Sequence, residues 1–244
     1  MTANPILIEV LRGDVVESRH RGAFVVVDAA GRTVLSAGDI DRPVFPRSSM
    51  KILQAVPLVE SGAADAFACT PAELALACAS HNGEEIHTKA VAAWLDRLGL
   101  TQDDLACAAH TPYYGPSAEA LIRAGEKPCR LHNNCSGKHT GFLALAKHLG
   151  VATRGYEHRR HAVQEAAFEA TASLADRPVE MPFGIDGCAA PNPALPLKSL
   201  GLAMARIAAP MAWRRPVPAR SPGCARRCGR TLTWSPVPGA PAPA

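Results

Sequence analysis

Residues 132–150 read HNNCSGKHTGFLALAKHLG. The first eight carry two imidazoles, two amides, a thiol, a hydroxyl and an amine, and the rest turn apolar. The apolar spacing predicts a helix over 137–149 that opens at a polar cluster. Cys135, Lys138 and His139 stand at i, i+3 and i+4 and can share one face of it. A phosphate-binding loop is excluded: that motif needs a glycine where position 132 has His, and a Ser or Thr where Lys138 is followed by His139. A metal reading survives. Thiolate and imidazole are zinc ligands, and Cys188, in the loop FGIDGCAAPNP, can bring a second thiolate. Residue chemistry alone selects Cys135, His139 and Cys188. The ordinary alternative is a polar first helical turn.

Outward from this stretch, residues 6–38 read as strands. ILIEVLRGDVVES and GAFVVVDAAGRTVLSAG each hold two β-rich runs around a turn, at Gly13-Asp14 and at Ala30-Gly31. From Arg47 the period becomes helical, with Met50, Leu53, Val56 and Val59 on one stripe and Gly62 as the stop. Thr70-Pro71-Ala72-Glu73 forms a capping box that opens a helix ending near Ser80. Further helices are predicted over 84–98, 116–124, 158–175 and 196–208. No internal repeat is present.

The chain has 244 residues, 48% of them hydrophobic, enough for one large domain or two small ones with a buried core. The longest apolar runs are too short to span a bilayer. The first residues show no basic stretch leading into an apolar one, so the expected compartment is the cytoplasm. The eight cysteines are loosely spaced and expected reduced, with Cys69, Cys78 and Cys107 as small core residues. The net charge of +4 is misleading. Six of the 26 basic residues lie in 211–244, which has no acid, leaving 20 basic against 22 acidic in the first 210 residues. Nothing in that part suggests a nucleic-acid surface.

Two more clusters carry chemistry. In Arg47-Ser48-Ser49-Met50-Lys51, a hydroxyl and an amine stand three residues apart at a helix mouth. A neutral lysine there can take the serine's proton, the logic of S-x-x-K acyltransferases. A helix-capping serine beside a solvated lysine is the plain alternative. In Cys78-Ala79-Ser80-His81-Asn82-Gly83-Glu84, polar groups follow an apolar helix. The plain reading there is that Asn82 or Ser80 caps the next helix, with Glu84 in its first turn.

Taken together and in order, RSSMK, CASHNGE, HNNCSGKH and GIDGC resemble the asparaginase II family of rhizobial-type L-asparaginases. The resemblance runs from about Val10 to Ala208, and NCSGKH is its most specific piece. It implies hydrolysis of L-asparagine to L-aspartate and ammonia in a homodimer. The implied fold is α/β and similar to serine β-lactamases and penicillin-binding proteins, with N-terminal strands beside a helical part. Ser48 and Lys51 match one Ser–Lys pair of the family, and Ser80 matches the serine of a second. Zinc is implied near the pocket on residues matching Cys135, Lys138 and Cys188, so the resemblance replaces His139 by Lys138. The expected catalytic residues are Ser48, Lys51 and Ser80. Arg47, Asn134, His139 and Asp186 are polar neighbours able to grip the α-amino and α-carboxylate groups. The expected partner is this small substrate, without nucleic acid or membrane.

The sequence also departs from the family. At Pro210 it becomes rich in Pro and Arg, with seven prolines and no acid in 211–244. Residues 1–210 thus read as the N-terminal part of a catalytic domain, incomplete at the C-terminus. Residues 211–244 read as a disordered tail, either basic and interacting or an out-of-frame translation. The lysine partner of the second serine falls in the lost part, so Ser80 is expected to lack a base. The competing readings are an inactive zinc-binding fragment and a β-lactamase-like S-x-x-K hydrolase, which acylation by penicillin would reveal.

Overall fold

The computed structural model describes residues 4–209. The expectations for 211–244 lie outside the described residues. The chain opens with two antiparallel hairpins. Strands β1 (Ile6–Arg12) and β2 (Val15–Arg21) pair around Gly13-Asp14, with Gly13 at φ +59°, a value glycine tolerates best. Strands β3 (Phe24–Val27) and β4 (Thr33–Ala37) pair across a turn that Asp28 closes by accepting the N–H groups of Ala30 and Arg32. Both hairpins fall where the alternating patterns predict them. A short β5 (Pro43–Val44) follows.

The helical body begins with a 3-10 turn over Arg47–Met50 that runs into α1 (Lys51–Glu60). Next come α2 (Ala63–Ala66), α3 (Pro71–Cys78), α4 (Glu85–Arg97), α5 (Gly115–Ala124), α6 (Ser136–Leu149) and α7 (Ala162–Ala175). Strands β6 (Phe183–Ile185), β7 (Pro191–Pro193) and β8 (Leu195–Pro196) precede α8 (Leu197–Ala208). The late strands form two further antiparallel pairs, β5 with β8 and β6 with β7. The architecture is therefore a mixed helix-and-strand fold with small sheets. Thr70 and Glu73 form the expected capping box on α3. The cap of α4 differs from expectation: it is Glu84, whose backbone N–H bonds His87 Nδ1, because Ser80 and Asn82 belong to the loop before it.

Helix α6 is the axis of the core. Every residue from Ser136 to Ala146 is buried, polar ones included, as expected of a helix with neighbours on all sides. Gly137 and Gly141 let α3 approach it. A Cβ on Gly137 would lie 2.7 Å from both Cβ and the carbonyl oxygen of Leu76, and one on Gly141 would lie 3.3 Å from Ala77 Cβ. The main cluster around them includes Leu58, Val91, Trp94, Leu95, Phe142, Leu143 and Tyr156. A second cluster of Met50, Leu53, Leu174, Ala175 and Ala203 ties α1 to α7 and α8. Helix α8 in turn packs on β3, with Gly201 close to Val27. Glu73, almost fully buried, bridges α3 to α4 through two 2.8 Å bonds from Arg97. None of the described helices is long and apolar enough to cross a membrane.

Candidate active site

Close packing of α3 on α6 brings the loop after Cys78 against the start of α6, and α1 delivers Lys51 to the same place. Lys51 is 1% exposed. Its Nζ donates to Ser80 Oγ at 2.8 Å, to Ala79 O at 3.0 Å and to Asn134 O at 3.1 Å. Burial holds the Lys51 amine below the usual lysine range; Cys135 opposes that shift and Lys138 adds to it. A lowered amine can accept a proton from a bound hydroxyl.

The S-x-x-K spacing pairs Ser48 with Lys51, whereas the hydroxyl within hydrogen-bonding distance of the amine is Ser80. The turn carries the chain from surface to core: Ser48 and Ser49 are exposed, while Met50 and Lys51 are buried. Ser80 therefore has a lysine partner within the described residues, contrary to the expectation that it lacks one.

Ser48 lines a cavity of about 280 Å³, together with Arg47, His110, Tyr113, Asn133, Asn134, Cys135, Asp186, Gly187 and Cys188. Across it, Arg47 Nε and Asp186 Oδ1 form an ion pair at 2.6 Å. Asp186 is further held by Asn192 Nδ2 at 2.9 Å. Two residues in the left-handed region abut the site: Arg47 at φ +54°, next to Ser48, and Ala189 at φ +73°, next to Cys188. Such backbone strain in non-glycine residues persists only where the surroundings enforce it.

Cys135 and Cys188 meet across the rear of this cavity. The hydrogen bond from Cys135 holds Cys188 well below the usual thiol range, and Lys138 and His139 reinforce this against burial. The same bond, together with burial, pushes Cys135 up. Lys138 Nζ donates to Cys188 Sγ at 3.2 Å. His139 stands behind them rather than on the cavity wall. It is fully buried, its Nδ1 is 2.6 Å from Tyr156 Oη, and burial lowers its pKa. Its Nε2 is buried without a hydrogen-bond partner.

No group of three or more His, Cys, Asp or Glu among the described residues is arranged to hold a metal ion. The set implied for zinc has two sulfurs and an amine. Its chemistry fits a soft cation: the Cys188 thiol is shifted toward its thiolate form, and the Lys138 amine already touches the Cys188 sulfur.

Sequence reasoning did not single out His110, Tyr113 or Asn133. His110 and Tyr113 come from HTPYYGP, a stretch without apolar period, and the cue was an aromatic and histidine cluster in a connecting loop. Asn133 builds the turn before α6, accepting Cys135 N–H at 2.9 Å and donating to Ala108 O.

A buried amine bonded to a serine hydroxyl is the arrangement by which serine–lysine hydrolases generate a nucleophile. The chain belongs to the L-asparaginase II family, whose model matches residues 8–226. That match reaches beyond Ala208, where the motif resemblance stops. No curated protein matches the chain. Family membership implies a small-molecule substrate.

Proposed function

We propose that this protein hydrolyses L-asparagine to L-aspartate and ammonia by serine acyl transfer, with Lys51 as the base. The observation that carries the reading is the 2.8 Å contact between the buried Lys51 amine and Ser80 Oγ. Ser80 passes its proton to Lys51 and its oxygen attacks the side-chain amide carbon. The tetrahedral intermediate collapses as the Lys51 ammonium returns a proton to the leaving nitrogen, releasing ammonia. Water, deprotonated by Lys51, then cleaves the ester to aspartate.

A second assignment has Ser48 attack, with Ser80 handing its proton on to Lys51. It is favoured by Ser48 lining the cavity that holds the Arg47–Asp186 pair. That pair is a ready complement to a zwitterion: the substrate's α-carboxylate replaces Asp186 on Arg47, and its α-ammonium replaces Arg47 on Asp186. Asn134 adds polar contact on the wall.

Zinc would be held by Cys135, Lys138 and Cys188. Bound there, it would tie the start of α6 to the 186–190 loop that carries Asp186. Lys138 must give up its proton to bind it. The implied β-lactamase-like arrangement is supported by the N-terminal hairpin β3–β4 packing on α8 beside a helical body. The homodimer and the cytoplasmic setting stay part of this reading.

The test is trapping with an asparagine analogue bearing an electrophilic ketone in place of the amide, followed by peptide mass mapping. Adduct on Ser80, lost in Ser80→Ala, supports the first assignment; adduct on Ser48 supports the second. Adduct on neither serine, with no ammonia released from L-asparagine, refutes the reading.

A further inference from the structure

His110 lies outside every motif that pointed to the site, yet its ring touches the backbone that holds the reactive amine. Its Nε2 is 2.9 Å from the backbone nitrogen of Asn134. Its Nδ1 is 2.7 Å from Thr111 O. These two contacts fix the tautomer. A backbone N–H can only donate, so Nε2 carries a lone pair; a carbonyl can only accept, so Nδ1 carries the proton. Tyr113 covers the ring at 5.0 Å between centroids, and both residues line the cavity.

Asn134 is the hinge of this arrangement. Its N–H is taken by His110, while its carbonyl accepts Lys51 Nζ at 3.1 Å and His81 N–H at 3.3 Å. The residue is thus held at both its N–H and its carbonyl, and that carbonyl is one of the three acceptors that aim the amine. Without the Asn134–His110 bond, the residue loses its anchor to the 108–114 loop and its carbonyl is free to turn away from Lys51.

We propose that His110 is a positioning residue: by accepting the Asn134 N–H at Nε2, it holds the Asn134 carbonyl against Lys51 Nζ and so sets the Lys51–Ser80 contact. The consequence for turnover rests on the function proposed above; the positioning itself does not. His110 takes no proton from substrate. It acts through Asn134 and Lys51, so its loss weakens the chemical step and leaves substrate binding nearly intact.

The experiment compares His110→Asn with His110→Gln in the full chain. The Asn amide keeps the donor to Thr111 but does not reach Asn134; the longer Gln side chain returns an acceptor near the Nε2 position. Hydrogen exchange at the Asn134 amide, read by NMR, and the Lys51–Ser80 distance in a crystal structure report positioning without any turnover. The expected result is rapid exchange and a lengthened contact in H110N, with both restored in H110Q. In kinetics, kcat falls about 10- to 100-fold in H110N with KM within about threefold, and H110Q recovers it. An Asn134 amide as protected in H110N as in wild type, or an unchanged Lys51–Ser80 contact, overturns the proposal. So does failure of H110Q to restore them. A wild-type chain that releases no ammonia counts against the proposed function alone, because exchange and distance still decide the role of His110.

Discussion

The N-terminal hairpins and the helical body treat their side chains in opposite ways. In the hairpins, Ile8, Leu11, Val15, Val34 and Leu35 are all exposed, and every residue of β1 faces solvent. In the body, Lys51, Lys138, His81, His139 and Asn133 are buried. A buried polar group costs free energy unless it is hydrogen-bonded, so this body maintains bonded networks that a purely structural core would not need. The hairpins keep their strand geometry by local turn chemistry and cross-strand pairs. The contrast separates a region legible from local pattern from one whose chemistry exists only through long-range packing.

The sharpest way to break this comparison is to remove the central buried amine. Lys51→Met keeps the volume and drops the base. Ammonia release from L-asparagine is expected to fall by about a thousandfold or more, while the melting temperature changes little or rises. Residual turnover near wild type would remove Lys51 from the mechanism.

A second change tests the packing that assembles the site. Gly137→Ala places a Cβ against the Leu76 backbone, which cannot swing aside as a side chain would. The expected cost is about 2–3 kcal/mol in urea unfolding. The same substitution at Gly13 meets nothing within 4 Å and costs only the strain of φ +59°, about 1 kcal/mol. Equal effects at the two positions would refute the claim that α3 and α6 are held at backbone contact.

The third test uses pH. His81 accepts Gly83 N–H at Nδ1 (3.1 Å), and its Nε2 lies 2.8 Å from Ser136 Oγ. Burial, followed by the neighbouring His87 and Lys51, lowers its pKa from 6.5 to about 4. The folded pKa lies below the unfolded one, so between them the unfolded chain binds more protons. Stability is then present in full above pH 6.5 and is lost as pH falls toward 4. The expected loss is on the order of 3 kcal/mol, and His81→Gln should flatten this part of the stability profile. An identical slope in the variant would exclude His81 as its source.

The smallest effect is expected on the hairpin surface. Arg19 pairs with Glu9 at 2.8 Å, with both side chains well exposed. Arg19→Ala should shift stability by less than about 0.5 kcal/mol, and 0.5 M salt should erase the difference. A loss of several kcal/mol would show the hairpin to be more than a locally held arm.

Much of the fold was legible. The turns at Gly13-Asp14 and Ala30-Gly31, the capping box at Thr70 and the first half of the α1 stripe, Met50 and Leu53, are local signals, and each lies where its pattern put it, whereas Val59 at the end of that stripe is exposed. The cap of α4 was misplaced because Ser80 and Asn82 have good capping chemistry but are committed to the site loop. The glycines of SGKHTG, four apart on one helix face, were an available sign that another helix crosses closely there. They lay hidden within a stretch whose polar residues suggested chemistry first.

The site was legible in its ingredients and not in its pairings. Spacing alone joined Ser48 to Lys51, because residues three apart in a helix share a face. The structure turns Lys51 inward to Ser80, 29 residues away, since only the α3–α6 contact decides which hydroxyl the buried amine meets. Cys135 and Cys188, by contrast, were joined as expected metal ligands from the sequence, and both line the cavity because the 186–190 loop returns to the start of α6. The two hairpins and the longer helices are written in local periodicity, and the four motifs in their order pointed to the family and to most of the reactive groups. Tertiary packing decides that Lys51 meets Ser80, that Arg47 closes on Asp186 and that His110 joins the cavity, because partners distant in sequence are chosen by packing.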